Sequence, residues 1–218
     1  MGKQTVDLIC GDIRSNLLRF ALPLFLGQLF QQLYNMADAL VVGNYLGQDA
    51  LAAVTSTGSL IFLVVGFFGG MFGGVGVVIA RSFGAQDGPL TRRAVGTAVS
   101  FALIAGGAMT LLGTLGCAPL LRLMGTPEEV LPLAVSYMRT YFFGAVFVAL
   151  YNSASGIFQA VSDSRRPLYY LVISSVTNIV MDIVFVGFCK MGVAGAALAT
   201  VIAQALSAAL AFFRLSRV

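Results

Sequence analysis

The 218-residue chain contains no histidine. That single absence removes histidine acid–base catalysis, histidine metal ligation and a Ser-His-Asp triad. Its three cysteines, Cys10, Cys117 and Cys189, are far apart. No paired spacing suggests zinc, an iron–sulfur cluster or a disulfide framework, so they read as small apolar filler. Charge is scarce too. Only 10% of residues are Asp, Glu, Lys or Arg, against roughly a quarter in a soluble domain. With 58% hydrophobic residues and a mean hydropathy of +0.91, the chain cannot cover a water-facing surface. An integral membrane protein is the class that remains. The first apolar stretch is too long for a cleavable signal peptide and runs into further ones.

What the chain does have is apolar runs, at 17–43, 51–80, 94–118, 131–160, 168–189 and 192–213. Each is near or above the roughly 20 residues a helix needs to cross the hydrocarbon core. They are too long and too uniformly apolar for the strands of a membrane barrel. The pattern predicts an all-α polytopic membrane protein. A segment 1–16 leads into a six-helix lobe over 17–213, followed by an end at 214–218. Lys3, Arg14, Arg19, Arg81, Arg92, Arg93, Arg165, Arg166, Arg214 and Arg217 fall on one side of this topology, and Arg122 and Lys190 on the other. The positive-inside rule then places both termini in the cytoplasm and the lobe in the cytoplasmic (inner) membrane. The net charge of +4 is thereby assigned to topology, and no nucleic-acid partner is expected.

Of nine acidic residues, only Asp38 and Asp182 fall inside apolar runs. An ionisable group at membrane depth is costly and usually marks an ion or proton path. Both lie in the outer half of outward-running spans. Asp182 is about 21 Å along its span at 1.5 Å per residue. The two carboxylates are therefore expected at similar depth. Ser174, Asn178 and Asp182 are spaced i, i+4, i+8 on one helical face. Tyr34 and Asp38 share a face with Gln28, Gln31, Gln32 and Asn35 nearby, and Thr200 and Gln204 form a third polar pair. These groups read either as the wall of a hydrated cavity or as hydrogen-bonded glue between helices. No Lys lies in any run, and Arg139, inside the fourth run near its outer end, is the one candidate cationic partner for the acids.

Pro23 interrupts the first run, where a proline removes a backbone hydrogen bond and often kinks a helix. Gly66, Gly70 and Gly74 form a small-xxx-small stripe in the second, which predicts close helix packing. A weak internal echo relates Asp38, Gly43, Gly47 and Thr55 to Asp182, Gly187, Gly192 and Thr200. A second echo relates Gly84-Ala85-Gln86-Asp87 to Gln159-Ala160-Val161-Ser162-Asp163. Internal repeats of this kind are common in transporters.

Several segments carry a family pattern in order. They are Tyr34-Asn35-Met36-Ala37-Asp38-Ala39-Leu40-Val41-Val42-Gly43, the Ala80–Asp87 segment ARSFGAQD, and the Gly156–Pro167 segment GIFQAVSDSRRP. Asn178-x3-Asp182 and Gly192-x2-Gly195-Ala196-Ala197-Leu198-Ala199-Thr200 complete the set. Through them nearly the whole chain resembles the N-terminal lobe of multidrug and toxic compound extrusion (MATE) transporters, in particular the DinF-like branch. The resemblance implies export of organic, often cationic or amphiphilic compounds, driven by H+ or Na+. It implies that Asp38, Asn178, Asp182 and Thr200 hold the proton or the Na+, and that Tyr34 and Asn152 are polar positions around them. Ser174 and Gln204 are further candidates for the cavity wall, and Pro23 matches the proline of a bending first helix. Family members have about twelve helices in two lobes. A second six-helix lobe is therefore the expected partner, whether in frame, as a separate chain or as a second copy in a homodimer, and a truncated product is the further alternative. The coupling ion apart, no cofactor is expected. No enzymatic nucleophile or metal cluster is visible. A related lipid-linked oligosaccharide flippase would require a strongly cationic cavity, and a channel or structural subunit would function without the carboxylates.

Overall fold

The computed structural model describes residues 13–215. Lys3, Cys10 and Arg217, with most of the expected terminal segments, lie outside the described residues. The chain is a bundle of helices with no strand among the described residues: α1 Ile13–Leu46, α2 Gln48–Gly84, α3 Gly88–Leu123, α4 Leu131–Phe143, α5 Ala145–Ala160, α6 Arg165–Asp182 and α7 Gly192–Leu215. α6 continues into a π-helical segment, Ile183–Phe188. α1, α2 and α3 start earlier and end later than the first three apolar runs, because polar caps and end turns add residues that hydropathy does not register.

Among the described residues, four helices are long and apolar enough to cross a membrane: α2, α3, α6 with its π-helical continuation, and α7. α4 and α5 make a fifth if taken as one span, bent by 50°. The run over 131–160 is thus not one straight helix. The break falls at Gly144, where a Cβ would collide with the Val201 side chain of α7. Glycine here lets the bent pair lie directly on its neighbour. α1 is 34 residues long but more polar, since Gln28, Gln31, Gln32, Asn35 and Asp38 line one side of it. It runs unbroken through Pro23.

The turns explain why the helices end where they do. After α2, Gln86 takes φ 57°, and the Asp87 N–H returns to Ser82 O at 3.1 Å. The Asp87 carboxylate then accepts from Leu90 N at 2.9 Å and caps α3. After α5, Ser162 takes φ 63°, the Asp163 N–H reaches Phe158 O at 2.8 Å, and the Asp163 carboxylate accepts from Arg166 N at 3.2 Å. The second sequence echo is therefore one turn built twice, a left-handed residue closing one helix and an aspartate opening the next. The first echo has a counterpart as well. Gly47 and Gly192 both have positive φ, 87° and 65°, at the starts of α2 and α7, and Thr55 and Thr200 each bond back to the carbonyl four residues earlier.

The core holds Phe68 and Phe72 of α2, Leu121 of α3, and Met138 and Phe142 of α4, all essentially buried. The glycine stripe does not pack as its spacing predicts. A Cβ on Gly66, Gly70 or Gly74 would meet nothing within 4 Å. The close approach on α2 is at Gly76, against Gly156 of α5, where a Cβ on Gly156 would lie 3.0 Å from Phe72 O. Spacing alone reports a small-residue face but not whether a helix lies on it. The outer surface is apolar, with Ile104, Leu112, Leu115 and Phe188 exposed, as a lipid-facing belt requires.

Candidate functional site

Asp38 sits on α1, 7% exposed, and Asp182 at the end of α6, fully buried. The two carboxyl groups are near neighbours. Asp182 occupies the junction between α6 and the π-helical segment. Local π geometry of this kind frequently marks functional positions in helices. Tyr137 Oη of α4 donates to Asp38 Oδ2 at 3.5 Å. With its amide oriented as the neighbours require, Asn178 Nδ2 donates to Asp182 Oδ2 at 3.0 Å, and Asn178 Oδ1 accepts from Thr200 N at 3.2 Å and Thr200 Oγ1 at 3.3 Å. Tyr34 Oη donates to Thr200 Oγ1 at 3.4 Å. One network thus runs Tyr34–Thr200–Asn178–Asp182–Asp38–Tyr137 across α1, α4, α6 and α7.

Two oxygens of this network, Asp38 Oδ1 and Asp182 Oδ1, are buried without a donor among the described residues. Neighbouring carboxylates in a buried site repel, and they are stable only with a proton or a cation held between them. Arg139 does not fill that role. It is exposed and absent from the cavity wall. Two helical positions separate it from Tyr137, which turns the two side chains roughly 200° apart. No group of three or more Cys, Asp or Glu side chains suited to a metal ion occurs among the described residues. The oxygen donors available are the pair itself, Asn178 and Thr200.

Next to the network is a cavity of about 610 Å³. Pro23, Tyr34, Asp38, Asn152, Thr200 and Gln204 line it, whereas Asn178, Asp182 and Ser174 do not. Asp182 is therefore sealed behind Asp38, and Asp38 faces both sides. Ser174 is buried but lies off the wall. Tyr137, Tyr141, Tyr151, Ser155 and Gln159 also line the cavity. They run along one side of α4 and α5 at helical spacing, a stripe that the sequence carried but that hydropathy hid, since tyrosine counts as apolar. Among the described residues, no Lys or Arg lines this cavity.

The MatE family profile matches residues 23–184. The probable multidrug resistance protein YoeA of Bacillus subtilis (strain 168) is 35% identical over 84% of this chain and 40% of its own length. A crystal structure of MATE in the bent conformation superimposes with a TM-score of 0.91 at 30% identity, covering 99% of this chain and 48% of that one. An outward-facing multidrug resistance MATE family transporter of the MOP superfamily gives a TM-score of 0.89 at 29% identity, again covering 99% and 48%. The chain spans less than half the length of these relatives, and its fold corresponds to one part of theirs. It is a multi-pass membrane protein, and it belongs to the MatE family.

Proposed function

We propose that the chain is one six-helix lobe of a cation-coupled antiporter that exports organic, often cationic or amphiphilic compounds across the cytoplasmic membrane, with both termini on the cytoplasmic side. It works with a second lobe supplied in frame, as a separate chain or as a second copy. The observation that carries this reading is the buried Asp38–Asp182 pair, which forms no salt bridge with a Lys or Arg among the described residues and has one member on the cavity wall. H+ or Na+ is the transported partner held by Asp38, Asp182, Asn178 and Thr200. The Asn178 amide suits either state of the pair. With its N–H toward Asp182 it stabilises an ionised carboxylate. With Oδ1 turned there instead, at the 3.0 Å separation, a proton or a cation must lie between the two oxygens.

In this mechanism the ion-free pair carries charge and favours a hydrated, open cavity. The ion-bound pair tolerates a drier, repacked one. A ligand shifts such an equilibrium only by its differential affinity for the two states. Asp38 is where ligand and ion meet, since it touches both cavity and Asp182. Pro23 lies on the same helix and the same cavity wall. It leaves one carbonyl of the preceding turn without its amide donor, which makes α1 easiest to bend on the stretch leading to Asp38. The flippase alternative requires lining cations to hold a pyrophosphate, and the cavity wall has none among the described residues.

The test is efflux of fluorescent organic compounds, one neutral and one cationic, from vesicles containing the chain, alone and with a second lobe. An imposed pH gradient and an imposed Na+ gradient are applied separately. Asp182→Asn is expected to abolish the gradient-driven component. Undiminished coupled efflux in that variant would overturn the assignment.

A further inference from the structure

The cavity wall is unusual in what it offers a ligand. Besides the exposed Gln32–Asn35 pair, which bond each other at 3.3 Å, and the exposed Gln28 and Gln159, three half-buried carboxamides line it: Gln31, Asn152 and Gln204. They come from α1, α5 and α7, so they surround the space rather than mark one helix face. Each carries two N–H donors and one carbonyl acceptor. Only Asn152 is tied down, donating to Val148 O at 2.9 Å. Gln204 Oε1 has no hydrogen-bond partner among the described residues, so nothing in the protein fixes that amide. Among the described residues Asp38 is the one charged residue on the wall, and it already accepts from Tyr137 and neighbours Asp182.

We propose that this cavity selects uncharged, planar ligands bearing amide-like N–H and C=O groups on their edge, in preference to permanent organic cations. The proposal rests on the export reading above and narrows its substrate. A volume of about 610 Å³ is ample for a tricyclic compound, ligand pockets generally running from about 300 to 1,000 Å³. Tyr34, Tyr141 and Tyr151 supply aromatic faces for a flat ring, and those serve neutral and cationic rings alike. The carboxamides do not serve both. A quaternary cation has no hydrogen bond to give or take, so burying the half-buried amides Gln31, Asn152 and Gln204 against it leaves their lost hydration uncompensated. A cation drawn to Asp38 would also contend with the coupling ion for the same oxygens. A neutral ligand with donors and acceptors on its rim satisfies the amides and leaves Asp38 to the ion.

Three probes on one ring skeleton separate the contributions. Acridone is neutral with an N–H opposite a C=O, N-methylacridone keeps only the C=O, and N-methylacridinium is a permanent cation with neither. Their affinities are read by fluorescence titration of the purified chain in lipid nanodiscs. Acridone is expected to bind at least about tenfold tighter than N-methylacridinium, with N-methylacridone between them, since a hydrogen-bonding site discriminates strongly against analogues that cannot bond. Gln31→Leu and Gln204→Leu should each weaken acridone about fivefold and leave N-methylacridinium within about twofold, each lost neutral hydrogen bond contributing roughly that factor. The comparison of probes needs no variant, so misfolding of a substitution does not obscure it. N-methylacridinium binding as tightly as acridone would overturn the proposal, as would no measurable binding of acridone. Either result leaves the ion-coupling test with Asp182→Asn standing on its own.

Discussion

At the turn between α5 and α6, Asp163 is as completely buried as Asp182 near the far end of α6, yet the two carboxylates keep different company. Asp163 Oδ2 lies 3.0 Å from Arg166 Nε, and its Oδ1 accepts from Arg166 N. The guanidinium in turn lies 5.7 Å from the centroid of the Phe158 ring. Asp163 Oδ2, like one oxygen of each paired acid, makes no hydrogen bond of good geometry among the described residues, but its charge is matched by a fixed guanidinium, so the contrast is one of charge. Asp182 is bonded by an uncharged amide and faces a second acid, and one oxygen of each acid lacks a donor. The first arrangement fixes a turn. The second is incomplete without a proton or a cation, which is what a coupling site requires.

Replacing Asp182 tests the incomplete site and should have the largest effect. One net charge moved through a membrane potential is worth about 2.3 kcal/mol per 100 mV, a factor of roughly 50 at about 1.36 kcal/mol per decade. Asp182→Asn should lower the substrate gradient sustained by coupled efflux by about that factor, while the thermal melt of the purified protein holds or rises. A melt that collapses instead would place Asp182 with Asp163 as a structural acid.

The converse change is Asp163→Ala. Breaking a buried ion pair costs about 3 kcal/mol, because the Arg166 side chain, 17% exposed, loses its counter-charge. The melting temperature in detergent should fall by several degrees, with the ratio of ions to substrate unchanged in the folded fraction. An unchanged melt would show that the turn is held by its backbone bonds alone.

The sequence displayed the second site better than its neighbours. Scarce charge made Asp38 and Asp182 conspicuous, and a spacing of four joined Asn178 to Asp182. The same spacing carried one step further misplaces Ser174. Each four-residue step advances about 40° round a helix of 3.6 residues per turn. Ser174 therefore lies about 80° from Asp182, and although Asn178 and Asp182 are off the cavity wall as well, Ser174 alone of the three takes no part in the hydrogen-bonded network. The turn echo was legible because Gln86-Asp87 and Ser162-Asp163 act through local backbone geometry. The bend at Gly144 and the open glycines at 66, 70 and 74 were not legible, because their meaning depends on whether Val201, or nothing, lies opposite. Tyr137 was hidden for a chemical reason: its ring belongs to the apolar pattern and only its hydroxyl to the site.

Tyr137 offers a smaller and sharper probe of the incomplete pair. Its hydrogen bond to Asp38 is long, at 3.5 Å, so its net contribution is about 1 kcal/mol. Tyr137→Phe should shift the ion concentration that half-activates efflux by about fivefold, with the maximal rate retained. A loss of maximal rate as large as that in Asp182→Asn would mean that the hydroxyl carries the ion rather than orienting Asp38.

The smallest expected effect belongs to Arg139, the one cation that sequence alone offers to the acids. It is exposed, and its side chain is directed well away from the wall that Tyr137 lines. Arg139→Gln should leave both the efflux rate and the half-activating ion concentration within about twofold, since exposed charges separated from a buried site by protein and solvent interact weakly. The value of the experiment lies in its asymmetry. A null result is what an acid pair lacking a fixed counter-charge requires. A large loss of coupling would mean that Arg139 reaches the pair in another conformation. The pair would then be compensated much as Asp163 is, and the contrast between an exchanging site and a fixed one would depend on conformation rather than on composition.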